Sequence, residues 1–554
     1  DVGIRDGRVV AVGAIDEAAR ETIDATGLVV CPGFVDPHTH YDAQLFWDPH
    51  ASPSNLHGVT SIMGGNCGFT IAPLSPEHAE YLLNMMVKVE GMPKAALEHG
   101  VPWDWRTFGD YLGKLEGNLG VNAGFLVGHC ALRRQIMGAD SVGNEATAAQ
   151  IDAMKALLRD AIAAGGMGFS TTQAFTHSDG GGQPVPSRWA TRDEVLELAG
   201  VVKEFPGTTL EWVTDGCLKG FTDAEVDLMI EMSLRGERPI NWNVLTVDSA
   251  APERYRHQLE ASVRAAERGA RVVALTMPTL VAMNMSFLNF CALFNLPDWP
   301  AIMALPVPER MAKLRDPEVR IFMESRAATP EAGAFARLTG WGGYRIGDTY
   351  SAANEGLKGR LVADIARERG VRDFFALVDI VLEDDLRTVL WPGATDDDPE
   401  SWRLRAAAWD SGWTLIGGSD AGAHLDRMCG APYTTEWLGD CIRGRQLVSL
   451  EEAIRHLTDA PARLFGLAGR GRIAEGWHAD IVVLDPDTID SGQVELVKDL
   501  PGGTSRLYAE SVGIEKVFVN GRLTVDQGKP TGELPGTLLR SGRDTETVLV
   551  PAAR

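Results

Sequence analysis

Short apolar runs alternate with amphipathic helical patterns through the middle of this 554-residue chain, and this alternation limits its possible folds most strongly. Residues 126–129, 168–171 and 209–213 have the apolar, β-rich composition of strands. Residues 147–164, by contrast, carry apolar side chains at helical spacing. Strands that are separated by helices form parallel sheets. The pattern therefore predicts an α/β fold, a parallel (β/α)8 barrel with its active residues at the carboxyl ends of the strands.

The two ends of the chain carry a different pattern, in which short strand-like runs are separated by turn-forming residues. Residues 517–522, for example, are a strand-like run that enters an Asn-Gly turn. We therefore predict a small β-sandwich formed by residues 1–31 and 476–554, with the barrel at 32–475 between them. The opening DVGIRDGRVVAVG resembles the middle of a β-module, which leaves room for an original N-terminus further upstream.

Residues at about 280–345 break the alternation and are predicted to form an insert over one mouth of the barrel. Its methionine and aromatic side chains could cover the site and exclude water. They could equally pack the core of the insert itself, which is the more common use of such residues. The side chains in question are Met277, Met283, Met285, Phe287, Phe290 and Trp299.

The chain is acidic, with a formal net charge of −24. Nucleic-acid surfaces are normally basic and anionic membranes repel negative charge, so we expect neither partner. No run approaches the ~20 apolar residues of a membrane span, and no signal peptide is visible. Seven cysteines in a chain of this length do not make a disulfide framework, which favours a reducing compartment and a cytoplasmic protein. Exposed strand edges favour a homo-oligomer without specifying its symmetry.

A strand-like run near the start of the barrel region ends in two histidines, His38 and His40, within VCPGFVDPHTHY. Because strand side chains alternate between faces, histidines two residues apart point the same way and can bind one divalent metal ion. Exposed or core histidines with this spacing are also common, so the pair needs partners elsewhere in the chain.

Two further candidates follow other strand-like runs. Cys67 lies in MGGNCG, where the glycines allow close backbone approach, and a thiolate is a strong zinc ligand that can bridge two metals. Asp420 ends the apolar run at GGSD, where a carboxylate could bind metal and accept a proton from water. The alternatives are a small buried hydrophobic role for Cys67 and a helix N-cap for Asp420.

The segment GHCALRRQIMG contributes three more candidates. His129 could act in catalysis or face the substrate, and a hydrogen-bonded core histidine explains it equally well. Arg133 and Arg134 are candidates to hold a substrate carboxylate through paired hydrogen bonds. Their alternative is an ion pair at the surface or between domains.

Longer motifs extend over nearly the whole chain. They are PGFVDPHTHYDAQLFWDP at 32–49, GVTSIMGGNCGFTIAP at 58–73, GHCALRRQIMG at 128–138, AGGMGFST at 164–171, GGSDAGAH at 417–424, GRIAEGWHADIVVLDPDT at 471–488 and RLYAESVGIEKVFVNGRL at 506–523. In these motifs the chain resembles the amidohydrolase superfamily and, within it, the N-acyl-D-amino-acid deacylase (D-aminoacylase) branch. The resemblance implies a TIM barrel joined to a small β-sandwich from both chain ends. It also implies a hydrolase of small amides that uses one or two Zn²⁺ ions or another divalent metal.

The resemblance assigns Cys67 to the position at which relatives such as hydantoinases carry a carboxylated lysine. It also implies two more histidine ligands, from strands near 209–213 and 239–245, and this chain has no histidine in either stretch. Glu211 and Asn243 are candidates to replace them, although an amide oxygen is a weaker zinc ligand than a carboxylate. Asn243 could instead contact the substrate, together with Trp242, which could also simply fill space in the barrel.

The predicted metal ligands are His38, His40, Cys67, Asp420 and Glu211. In the expected mechanism, metal-activated water attacks an amide carbonyl, and Asp420 takes the proton of the water and returns it to the leaving nitrogen. His424 would hydrogen-bond the water or the oxyanion.

Three functions follow from this site. The leading hypothesis is hydrolysis of the C–N amide bond of an N-acyl amino acid or a similar small amide. A second is hydrolysis of a cyclic amide, urea, carbamate or ester, because the fold alone does not choose the leaving group. A third is a binding or assembly protein that has lost its metal and its chemistry.

Overall fold

A computed structural model describes residues 1–280, 282–289 and 291–550. The chain divides into two compact units. The first combines Asp1–Thr279 with the chain from Glu400 onward, and the second is Leu280–Pro399.

The described residues contain both strands and helices in large number. Strands β1–β22 are Val2–Arg5, Arg8–Val12, Val29–Pro32, Phe34–Asp36, Val59–Gly64, Asn122–Phe125, Val127–Gly128, Gly168–Thr172, Thr209–Val213, Ile240–Trp242, Val272–Thr276, Arg345–Ile346, Leu390–Trp391, Thr414–Ile416, Ile481–Leu484, Asp490–Ser491, Glu495–Leu500, Thr504–Tyr508, Ser511–Val512, Ile514–Val519, Arg522–Asp526 and Lys529–Pro530. Helices α1–α17 are Pro76–Val89, Lys94–Gly100, Phe108–Leu115, His129–Met137, Ala148–Ala163, Arg192–Ala199, Asp223–Gly236, Pro252–Glu267, Pro300–Met303, Val307–Arg315, Pro317–Ala327, Val362–Arg369, Asp373–Glu383, Pro399–Trp409, Tyr433–Ile442, Leu450–Leu457 and Asp459–Leu464.

The first unit is an α/β structure whose central strands are parallel. Six of them lie in the order β14-β11-β10-β9-β8-β7, and three more form the sheet β4-β5-β6. In register across the larger sheet, Glu211 lies between Ser170 and Asn241. Because side chains alternate along a strand, these three share one face, and Trp212 and Trp242 lie on the other.

Local sequence explains where several helices of this unit begin. Thr147 caps α5 by accepting the N–H of Gln150, whose side chain accepts the N–H of Thr147 in return. Thr222 and Glu225 form the same reciprocal pair at the start of α7. Such capping boxes satisfy backbone donors that the first helical turn leaves free. None of the helices in the described part of the chain has both the length and the apolarity needed to traverse a bilayer.

An antiparallel sheet joins the two ends of the chain. Its strand order is β22-β21-β20-β15-β3, so Val29–Pro32 pairs with Ile481–Leu484 from the far end. The apolar run Ile481–Leu484 is fully buried because it lies between two neighbours. This shared sheet accounts for the similar strand patterns of the two chain ends.

The second unit has an apolar core of its own, and it is longer than the insert predicted at about 280–345. The ring centroids of Trp299 and Trp341 are 5.6 Å apart, and Phe374 from α13 packs against Trp341 at 4.9 Å. Helices α12 and α13 lie beyond the predicted end of the insert, and their apolar faces pack into this core. The periodicity of each helix does not predict which core its apolar face joins.

Three of the six predicted covering side chains pack in the core of this second unit. Met285, Phe287 and Trp299 are buried in its core. Met277 precedes the unit, and Phe290 lies outside the described residues. For these three core side chains the structure favours the packing role over a cover for the site.

Candidate metal centre

His38 and His40 follow strand β4, where the chain leaves the parallel sheet. The carboxylate of Asp36 accepts the backbone N–H of His38 at 3.2 Å and that of Ser419 at 3.4 Å. The backbone N–H of His40 donates to the carbonyl of Ala421 at 2.7 Å. These bonds tie the histidine segment to the loop after β14, so candidate ligands that follow the first and the last parallel strands meet.

Cys67 enters the same cluster from the turn after β5. Its backbone has a φ of 57°, a left-handed conformation that is unusual for a residue other than glycine. The preceding Gly65 is also left-handed, and a Cβ there would lie 2.2 Å from the carbonyl oxygen of Leu126. The turn places Sγ of Cys67 3.4 Å from Nε2 of His38 and 3.9 Å from Nε2 of His40.

Asp420 approaches the histidines from the loop after β14. Its Oδ1 lies 3.0 Å from Nε2 of His40 and 3.6 Å from Nε2 of His38. A Cβ on Gly422 would lie 2.5 Å from the carbonyl of His40, so only glycine permits this close approach of the two segments. Asp420 also has a positive φ, of 56°, and its side chain is 30% exposed.

These side chains suit a zinc ion. Imidazole, thiolate and carboxylate are its usual ligands, and ligands at about 2.0–2.3 Å in a tetrahedron lie roughly 3.3–3.8 Å apart. The separations from Cys67 and Asp420 to the two histidines are 3.0–3.9 Å. His38, His40 and Cys67 form one of two groups of potential metal ligands among the described residues, and His40, Glu90 and Asp420 form the other.

Glu90 belongs to the cluster although no sequence motif indicated it. It follows the end of α1, and its Oε1 lies 3.6 Å from Nδ1 of His40. Its backbone carbonyl also accepts the N–H of His424. Burial raises the pKa of Glu90 to about 7. Glu90 lies at the end of a helix, so a search for polar residues at strand ends does not identify it.

Burial and neighbouring charges shift the pKa values of His38, His40 and Asp420 in different directions. Burial, aided by the charge of His40, lowers the pKa of His38 to about 3. Burial also disfavours charge on His40, but the carboxylates of Glu90 and Asp420 outweigh it and raise the pKa of His40 to about 10. Against the effect of burial, the hydrogen bond and charge of His40 hold the pKa of Asp420 well below its usual range. Without a metal ion, His40 and Asp420 therefore form a charged pair.

Two histidines border this cluster. Nε2 of His424 lies 3.6 Å from Oδ2 of Asp420, and burial lowers the pKa of His424. His177, which sequence reasoning did not select, lies in the loop after β8 and interacts electrostatically with Asp420 and His424. Nδ1 of His177 lies 2.7 Å from the hydroxyl of Thr172. Its Nε2 has no hydrogen-bond partner among the described residues and is not buried.

Glu211 and Asn243 lie on the other side of Cys67. Oε2 of Glu211 accepts the backbone N–H of Cys67 at 2.9 Å, and burial raises the pKa of Glu211 to about 8. Nδ2 of Asn243 lies 3.7 Å from Sγ of Cys67. The structure thus brings both predicted residues to the thiol, but Glu211 joins neither group of potential metal ligands among the described residues.

His129 and Arg133 belong to a separate buried network. They begin helix α4 one turn apart and both contact Glu194 of α6, His129 at 2.9 Å and Arg133 at 2.5 Å. The hydroxyl of Thr171 lies 2.9 Å from the other ring nitrogen of His129. All three charged or titratable side chains are fully buried. This geometry favours the structural alternative for both residues, because both side chains contact the same buried carboxylate, and the catalytic role of His129 and the substrate role of Arg133 stay predictions.

Arg134 and Trp242 each pack against an aromatic ring. The guanidinium of Arg134 lies 3.9 Å from the ring centroid of Tyr81. Trp242 is fully buried on the sheet face opposite Glu211, and its ring packs edge-on against Phe221 with centroids 4.7 Å apart. This placement favours the space-filling alternative for Trp242, and its substrate contact stays a prediction.

The chain is similar to several known proteins over nearly its whole length. A family model described as "Amidohydrolase family" matches residues 21–525. The D-aminoacylase of Alcaligenes xylosoxydans xylosoxydans is 27% identical over 550 residues, which cover 97% of this chain and 93% of that protein. A solved structure of a D-aminoacylase with a binuclear metal centre has a TM-score of 0.62 at 25% identity, covering 97% of this chain and 95% of the other. The N-acyl-D-glutamate deacylase of Bordetella bronchiseptica, solved with zinc and a phosphonate inhibitor, has a TM-score of 0.63 at 25% identity, covering 98% and 95%.

Proposed function

We propose, because this chain belongs to the amidohydrolase family, that it is a metal-dependent hydrolase that cleaves the amide bond of an N-acyl-D-amino acid. The observation that carries the proposal is the convergence of zinc-type donors from His38, His40, Cys67 and Asp420. The substrate class comes from relatives that extend over nearly the whole chain and are named for deacylation of D-amino acids.

These four side chains would hold the ion. When bound, a divalent ion supplies Lewis acidity, which makes water more acidic and polarises a carbonyl group. The protein holds the donors in place through backbone bonds, such as the one from His40 to Ala421. Such prior positioning lowers the cost of organising the reacting groups.

Asp420 moves the proton in this proposal. Its lowered pKa keeps the carboxylate ionised at neutral pH, the state that a proton acceptor needs. Oδ1 lies against His40, so Oδ2 is the oxygen available to take a proton from the attacking water. Asp420 then returns that proton to the amide nitrogen as the C–N bond breaks.

His177 and His424 stabilise the negative charge that develops on the substrate oxygen. When the hydroxyl of Thr172 donates to Nδ1 of His177, the ring carries its proton on Nε2, which has no hydrogen-bond partner among the described residues. His424 presents its own Nε2 beside Asp420. Donors that are fixed before the reaction stabilise the transition state more than mobile water does.

We also propose the finer architecture around this site. The parallel strands form a (β/α)8 TIM barrel over about 32–475, and residues 1–31 and 476–554 form a β-sandwich. The parallel bridge between Thr39 and Ala421 supports closure of the barrel, and the sheet shared by both chain ends supports the sandwich. The free thiols of all seven cysteines support a reducing, cytoplasmic location. A homo-oligomer stays a prediction.

A panel of N-acyl-D- and N-acyl-L-amino acids tests the function, with release of free amine as the measurement. We expect the zinc-loaded protein to hydrolyse D-substrates, and Asp420→Asn to abolish that activity. Turnover of ureas or lactones without any turnover of acyl-amino acids would overturn the proposed substrate class.

A further inference from the structure

The thiol of Cys67 has two different surroundings. On one side lie Nε2 of His38 at 3.4 Å and Nε2 of His40 at 3.9 Å. On the other side lies Nδ2 of Asn243 at 3.7 Å, and the backbone N–H of Cys67 donates to Glu211 at 2.9 Å. The first side offers metal ligands, and the second offers one N–H donor to the sulfur and a carboxylate that accepts the backbone N–H.

We propose that this centre holds one divalent ion and that the amide of Asn243 hydrogen-bonds the Cys67 thiolate in place of a second ion. The inference rests on the proposed function, because it concerns the ion on which that function depends. It differs from the binuclear centre that one structural neighbour carries.

The chemistry of the second side argues against an ion there. A thiolate that is bound to a single ion keeps lone pairs, and an N–H donor satisfies them while a second cation would repel that same donor. On this side the amide of Asn243 donates to the sulfur, and the backbone N–H of Cys67 donates to Glu211. No imidazole lies on this side among the groups of potential metal ligands in the described residues.

Two buried oxygens are the ligands that a second ion would use. Oε1 of Glu211 and Oδ1 of Asn243 have no hydrogen-bond partner among the described residues. Together with the Cys67 thiolate they would be the ligands of a second, oxygen-rich site if the amide turned over. The orientation that places Nδ2 against the sulfur disfavours that arrangement, because the amide then donates to the thiolate and does not offer its oxygen to an ion shared with it.

Metal stoichiometry tests the proposal without reference to activity. The full-length protein is saturated with Zn²⁺, freed of excess ion by gel filtration and analysed by elemental mass spectrometry. We expect one ion per chain. Two ions per chain would overturn this inference and leave the proposed function intact, whereas a protein that takes up no ion at all would overturn both.

Substitutions on the second side give a test in each direction. We expect Asn243→Leu to keep one ion, and in the Co²⁺-loaded protein to shift the thiolate-to-cobalt absorption to longer wavelength, because the sulfur loses a hydrogen bond. A fall from two ions to one in this variant would instead identify Asn243 as a ligand. The double variant Glu211→His, Asn243→His should gain a second ion, because it supplies two imidazoles beside Cys67.

Discussion

Nε2 of His40 lies 3.0 Å from Oδ1 of Asp420, and the backbone bond from His40 to Ala421 holds the two segments together. One residue follows the first strand of the parallel sheets and the other follows the last. The proposed metal ligand and the proposed proton acceptor are therefore positioned by the same contact. Removing either side chain should disable the chemistry while leaving most of the fold in place.

Asp420→Asn tests the role of the carboxylate. We expect kcat/KM for the best N-acyl-D-amino acid to fall by at least about 10²–10⁴-fold, because the amide cannot accept a proton at neutral pH. Asp426→Asn is a matched control, since Asp426 is a nearby carboxylate that pairs with Arg427 instead. Activity of Asp420→Asn within a few-fold of the wild type, with an unchanged circular dichroism spectrum, would contradict the proposed mechanism.

Cys67→Ser tests whether the thiol is a metal ligand. A serine hydroxyl is a poor zinc ligand at neutral pH, so we expect the zinc affinity to fall by at least about tenfold in competition with a chromogenic chelator. Cys31→Ser is the control, because Cys31 is also buried but lies in strand β3 of the shared sheet. Equal zinc affinity in the two variants would return Cys67 to a packing role.

The strand-end part of the cluster was predictable because it depends on local rules. The period of two along a strand puts His38 and His40 on one face, and the carboxyl end of a parallel strand is where Asp420 can meet them. Cys67 was accessible to the same reasoning through its flanking glycines. Alternation would also have placed Trp242 on the face opposite Asn241, which is where the structure has it.

The remaining parts of the cluster depend on tertiary contacts that no local pattern encodes. Glu90 reaches His40 from the end of a helix, and His177 reaches the site from an irregular loop. The pairing of Arg133 with Glu194 joins two helices, so nothing in the segment GHCALRR distinguishes it from a substrate contact. Predicting these contacts therefore requires information about tertiary packing that composition and periodicity do not contain.

Glu194→Gln tests the structural role assigned to the network of His129 and Arg133. Leaving the charge of Arg133 without its fully buried partner should cost about 3–5 kcal/mol of stability. We expect a lower thermal midpoint, with a KM close to that of the wild type in protein that is still folded. The double variant Glu194→Gln, Arg133→Met should recover part of the loss. A large rise in KM with no change in thermal midpoint would indicate a substrate contact instead.

Metal removal should weaken the protein as well as inactivate it. Chelation separates the ion from a cluster in which His40, Glu90 and Asp420 then interact directly. An ion that binds only the folded state adds about 2.7 kcal/mol of stability at a concentration of 100 times Kd. We expect the thermal midpoint to fall on dialysis against chelator and to recover with Zn²⁺. The variant His40→Ala should show no such recovery, and an equal response in both proteins would contradict the assigned site.

His57 should make the fold sensitive to mild acid. It is fully buried, with Nε2 3.0 Å from the carbonyl of Ala509 and Nδ1 2.7 Å from the hydroxyl of Thr435, and burial lowers its pKa to about 4. An unfolded histidine has a pKa near ~6.5, so the unfolded chain binds the extra proton as the pH falls below that value. The stability that neutral His57 contributes is complete above about pH 6.5 and is lost progressively toward pH 4, by about 1.4 kcal/mol at pH 5.5.

The variant His57→Gln isolates this effect. We expect it to be less stable than the wild type at pH 8, because the ring no longer joins Thr435 to Ala509, and to lose less stability between pH 8 and pH 5.5. Thermal midpoints of both proteins at the two pH values give the comparison, with zinc held in excess so that the metal cluster contributes equally. Since the two proteins differ at one titrating group, an identical loss of midpoint in both would show that His57 is protonated as readily in the folded protein as in the unfolded chain.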